Sequence, residues 1–158
     1  MKTYIGTKLI KARPMNRREY NTYRGWELPA NEDGADEGFL VEYMDGGKAN
    51  DFRHEGYISW SPADVFHRAY HEVTGMTFGH ALEAIKLGYK VQRKGWNGSG
   101  LWLELEQPNE GSKMTLPYLY LNSYLYLNYP DSSPHTPGAK VPWLASHTDL
   151  LTDDWRII

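Results

Sequence analysis

Apolar residues recur along this chain at two spacings, two and three-to-four, and the switches between them outline its elements. Thr3 to Ala12 predicts a first strand, broken by Pro14, and residues 16–20 predict a short helix. Residues 31–38 read as an acidic, solvated loop whose carboxylate spacing does not match a calcium loop. Phe39 to Tyr43 predicts a strand, Asp45-Gly46-Gly47 a turn, and Gly56 to Trp60 another strand. Ser61-Pro62-Ala63-Asp64 reads as a helix start capped by Ser61, with Val65, Phe66, Ala69 and Tyr70 as the buried stripe. A domain boundary is placed at Val73-Thr74-Gly75.

Met76 opens a second unit. Thr77 caps a helix in which Phe78, Ala81, Leu82 and Ile85 share a face, and Gly88 ends it. Lys90 to Arg93 predicts a strand, residues 95–100 a glycine-rich turn, and Leu101 to Glu106 an alternating strand. Tyr118 to Tyr129 carries the longest alternation. It predicts a long strand, or two paired ones, with Leu119, Leu121, Leu125 and Leu127 inward and a tyrosine face outward. Residues 130–137 form a loop, Ser146 caps a helix through Leu151, and residues 153–158 close the chain as a strand. The fold class expected is α+β: two small modules, residues 1–73 and 76–158, each an antiparallel sheet with a packed helix.

Composition narrows the chemistry. The 158 residues are 41% hydrophobic, enough for a real core, and contain no cysteine, which excludes disulfides and thiolate metal sites. A formal net charge of -3 argues against a general nucleic-acid polymer binder. Residues 1–24 hold seven bases and one acid, and residues 25–64 ten acids and two bases, so these segments are expected to fold against each other. No apolar run is long enough to span a bilayer.

Residues that bear chemistry favour a binder over an enzyme. No nucleophile motif, phosphate loop or dinucleotide fingerprint is present. His67 and His71 fall four apart, on one helix face, but no third zinc ligand accompanies them, so no metal or cofactor is expected. Six Trp and 12 Tyr against four Phe supply flat faces with polar edges. Arg93 and Lys94 precede Trp96 and Asn97 in the glycine turn, where backbone N–H groups can approach phosphate. Trp143 precedes the helix start at Ser146, with Thr148 and Asp149 in its first turn. Trp96 and Trp143 serve equally well as core anchors, and for Trp155 the core is the better reading.

Four segments in order, residues 76–84, 93–98, 141–149 and 154–155, resemble the second Thoeris anti-defence family of phages. The resemblance implies a helix-plus-antiparallel-sheet protein that assembles as a homotetramer in the host cytoplasm. It implies a sponge that binds glycocyclic ADP-ribose, and in some members cyclic oligonucleotides, without degrading it. Carried over by motif, Trp96, Asn97, Trp143, Ser146, Thr148 and Asp149 are expected near the pocket. The first 75 residues lie outside this likeness and resemble a phage module of unknown function.

Overall fold

The computed structural model describes residues 1–96, 100–123 and 139–158. It is an α+β protein whose chain divides into two compact units, Met1–Tyr70 and His71–Ile158.

The first unit is a three-stranded antiparallel sheet, in the order β1 (Ile10–Pro14), β2 (Gly38–Tyr43), β3 (Tyr57–Pro62). The first strand starts at Ile10 rather than Thr3, because β2 ends at Tyr43, the partner of Ile10, and nothing remains for the earlier residues to pair with. Pro14 does not break the strand but ends it opposite Phe39; on an edge strand its missing N–H costs nothing. Helix α1 (Arg17–Arg24) starts in a full capping box. Asn16 Oδ1 accepts from the Glu19 amide at 2.8 Å, and Glu19 Oε2 accepts from the Asn16 amide at 2.9 Å. Gly25 ends the helix in the left-handed region, at φ 69°. Met15, Tyr20, Leu40 and Ile58 form the buried core, with Tyr23 and Trp60 packed against it.

The uneven charge is resolved within this unit, as its distribution suggests. Arg17 forms a two-pronged pair with Glu32, Lys8 meets Asp45 at 2.8 Å, and Arg24 approaches Asp51 at 4.0 Å.

Helix α2 (Ala63–Ala69) corrects two expectations. Ser61 does not cap it: β3 runs on through Pro62, which pairs with Gly38, and the Ser61 hydroxyl donates to the Pro62 carbonyl. The stripe Val65, Phe66, Ala69 and Tyr70 is not buried either. Phe66 instead stacks face to face on Phe39, with ring centroids 3.9 Å apart. Because α2 stops at Ala69, His67 and His71 share no helix face; His71 lies instead against His80. Among the described residues no cluster of metal-binding side chains occurs.

The second unit is a five-stranded antiparallel sheet. Its order is β7 (Ala139–Pro142), β6 (Tyr118–Ser123), β5 (Leu101–Glu106), β4 (Val91–Arg93), β8 (Trp155–Ile157). Helix α3 (Phe78–Lys86) is capped by Thr77, whose hydroxyl accepts from the His80 amide; after it Gly88 adopts φ 92°. Helix α4 (His147–Leu151) starts at Ser146. The core joins Met76, Ala81, Ala84, Ile85, Val91, Leu103 and Trp155, with Leu105, Leu119 and Leu121 packed against it, so the leucine parity of β5 and β6 faces inward.

The tyrosine parity is not a wet face throughout. Tyr120 and Asn122 are buried, beside Trp102. Tyr120 sits opposite Glu104 on the neighbouring strand and donates its phenol to that carboxylate. Tyr124 to Tyr129, and the loop 130–137, lie outside the described residues.

Candidate functional site

Strand β4, the turn after it and the start of α4 converge on one carboxylate. Ser146 and Asp149 form a capping box: the Asp149 amide donates to Ser146 Oγ at 3.1 Å, and the Ser146 amide donates to Asp149 Oδ2 at 2.9 Å. The Ser146 hydroxyl also donates to Asp149 Oδ2, at 2.7 Å. The other carboxylate oxygen, Oδ1, accepts from Arg93 Nη1 at 2.8 Å and from the Trp96 indole at 3.2 Å. The Asp149 backbone carbonyl accepts the indole N–H of Trp155 at 2.9 Å.

A second acid completes the knot. Arg93 donates through Nε and Nη2 to Asp154, at 2.8 and 3.3 Å, and Asp154 also accepts from the Gly95 amide at 2.9 Å. Three guanidinium nitrogens are therefore engaged by two carboxylates, and only 12% of the Arg93 side chain is exposed. Burial pushes the Asp149 carboxyl up, but the donors from Ser146, Arg93 and Trp96 outweigh it and hold the group at about 2. The same Arg93 contact lowers Asp154, against burial, with help from Thr152 and Gly95.

Four aromatic rings sit beneath this knot. Trp155 is fully buried, and Trp96 and Trp143 meet it edge-on at 5.4 and 6.0 Å; Phe78 packs at 5.4 Å from the same ring. Trp96 and Trp143 are half-buried and pack on the core, so each is in part an anchor.

The structure thus brings Arg93, Trp96, Trp143, Ser146 and Asp149 together. Lys94 and Thr148 are exposed on the flanking turn and on α4. Among the described residues the Lys94 ammonium has no carboxylate partner, in contrast to Arg93. Asn97 lies outside the described residues.

The sequence alone did not single out a second polar cluster in this unit. Glu104 accepts from Tyr120, from the Trp102 indole at 3.0 Å and from Lys90 at 3.1 Å. Burial raises the Glu104 carboxyl, and the three donors more than reverse this, to about 2; burial and Glu104 together push the Tyr120 phenol up to about 12. The available signal was register, since Glu104 and Tyr120 face each other once β5 pairs with β6.

Residues 76–158 match the family model described as the Thoeris anti-defense 2-like domain. The chain is also similar to the Thoeris anti-defense 2 protein of Bacillus phage SP01, with 31% identity over 94 residues, covering 54% of this chain and 97% of that protein. The match contains every residue of the Asp149 knot.

Proposed function

The chain belongs, through residues 76–158, to the Thoeris anti-defense 2-like family, and from that premise we propose that its anti-defence action is sequestration of a cyclic nucleotide signal. The ligand is of the glycocyclic ADP-ribose type, and it is held in the host cytoplasm without being cleaved. Among the described residues no helix is long and apolar enough to cross a membrane.

The observation that carries this reading is the convergence on Asp149. One carboxylate holds Arg93, Trp96 and Ser146 in fixed positions. A binder benefits from such rigidity, because groups ordered in advance lose less freedom when the ligand arrives. The division of labour follows from the hydrogen bonds. Arg93, with its charge consumed by two acids, holds the site together and does not bind phosphate. Lys94 is the cation available to a pyrophosphate. Ser146, whose one hydroxyl proton goes to Asp149, orders the start of α4, the exposed Thr148 offers a hydroxyl, and Trp96 and Trp143 offer indole surface to a purine. Binding uses stacking and phosphate contacts and requires no nucleophile.

Assembly as a homotetramer is part of the same proposal. Leu144 and Leu151, which flank Ser146 in the chain, are 91% and 86% exposed, large apolar side chains of the kind that a second copy would cover. Light scattering that gave only the 18.2 kDa monomer at micromolar concentration would remove this part.

Calorimetric titration with glycocyclic ADP-ribose tests the site. Lys94→Ala is expected to weaken binding about tenfold with an unchanged melting temperature. Trp143→Ala is expected to weaken it by roughly 1–3 kcal/mol. Unchanged affinity in both variants would show that this face is not the pocket.

A further inference from the structure

Asp154 lies one position before β8 and contacts no ligand in the binding scheme above, yet it grips three consecutive residues of the turn that carries Lys94 and Trp96. Its backbone carbonyl accepts the Lys94 amide at 3.0 Å. Its carboxylate takes four further donors. Oδ2 accepts the Gly95 amide at 2.9 Å and Arg93 Nη2 at 3.3 Å. Oδ1 accepts Arg93 Nε at 2.8 Å and the Thr152 hydroxyl at 3.0 Å. The next residue, Trp155, meets the Trp96 ring edge-on at 5.4 Å.

The strand register explains why a side chain is needed here. Strand β4 ends at Arg93, opposite Trp155, so the turn begins where the ladder stops fixing the backbone. Asp154 faces the turn at that point, and its carboxylate supplies the acceptor that strand pairing no longer provides. Gly95 is part of the same contact. A Cβ at this position would lie 2.7 Å from Asp154 Oδ2, closer than side-chain atoms pack. Its amide reaches the carboxylate because no side chain stands between them.

We propose that Asp154 is a positioning residue of the ligand site: it sets where Lys94 and Trp96 stand and does not itself touch the ligand. This rests on the reading of Lys94 and Trp96 as ligand contacts. The placement of the turn by Asp154 can be measured whether or not that reading holds.

Two variants of the full chain attack the contact from opposite sides. Asp154→Asn keeps the shape of the side chain, but its amide must turn an NH2 group toward donors. These are Arg93 Nε and Thr152 in one orientation, Gly95 and Arg93 Nη2 in the other. Gly95→Ala leaves the carboxylate intact and pushes it off the turn. In both variants, hydrogen exchange at the amides of residues 94 and 95 is expected to quicken about tenfold, with α3 and β5 unchanged. Calorimetric titration with glycocyclic ADP-ribose is expected to show about tenfold weaker binding in each. The loss caused by Lys94→Ala should shrink from about tenfold in the unaltered chain to less than about threefold in Asp154→Asn, because a misplaced ammonium has less to lose.

Unchanged exchange at residues 94 and 95 in both variants would overturn the proposal. So would equal quickening throughout the second unit, the mark of a merely structural role, and so would an undiminished tenfold effect of Lys94→Ala beside Asp154→Asn. If the unaltered chain takes up no glycocyclic ADP-ribose, the ligand falls. Local quickening at residues 94 and 95 then still upholds the placement of the turn by Asp154, and its absence still overturns it.

Discussion

Arg93 and Asp149 stand 56 positions apart in the chain and meet at 2.8 Å. The contact ties β4 to the start of α4, and both side chains are close to nine-tenths buried. Removing one partner of such a pair strands the other charge away from water, which costs more than the pair itself contributes.

Asp149→Asn is accordingly expected to destabilise the second unit by about 3 kcal/mol, because Arg93 keeps only Asp154 and the Ser146 cap loses its charge-assisted bonds. Urea unfolding followed by tryptophan fluorescence measures this. A loss below about 1 kcal/mol would mean that the knot is peripheral to stability.

The same group sets an acid limit. The folded Asp149 carboxyl titrates at about 2, below its ordinary 3.8, and Glu104 at about 2, below its ordinary 4.5. Depressed values contribute stability that is fully present above the ordinary values and is lost as pH falls through the folded ones. The melting temperature should therefore be insensitive to these groups down to about pH 5 and fall between about 4.5 and 2, with each group contributing on the order of 2 kcal/mol. Thermal melts across this range check it, and Asp149→Asn should make the fall shallower.

Residues 71–158 are expected to fold alone. The unit closes on itself at its start: Met76 exchanges two backbone hydrogen bonds with Trp155, at 2.7 and 3.1 Å, and the Ile157 amide donates to the Val73 carbonyl at 2.9 Å. A fragment beginning at His71 keeps all three bonds, whereas one beginning at Met76 loses the Val73 acceptor. Circular dichroism of the longer fragment should show a cooperative transition, and a disordered spectrum would contradict the division of the chain.

Local chemistry was the legible part of this sequence. Thr77 and Ser146 cap helices through contacts three residues long, and the alternation of leucines around Leu103 and Leu121 identified the inward face of two strands. Ser61 misled because its motif suits a helix start equally well inside a strand, and only the pairing of β3 with β2 through Pro62 decides the matter. Tyr120 misled for a different reason. Alternation separates two faces of a strand without saying how wet the second one is, and an acceptor such as Glu104 on the next strand lets a tyrosine be buried there. The segments around Arg93, Trp96 and Asp149 were legible separately, as a glycine turn and a helix start suited to binding, but their joint use of a single carboxylate depends on contacts 53 and 56 residues apart, which no spacing rule contains.

Sequestration without chemistry is tested most directly by what the protein gives back. The full chain is incubated with glycocyclic ADP-ribose, freed of unbound ligand, denatured, and its released ligand analysed by mass spectrometry. The account predicts intact glycocyclic ADP-ribose, retained in proportion to the protein. Recovery of a cleaved nucleotide would make the protein an enzyme, and recovery of no nucleotide would remove the ligand from the account altogether.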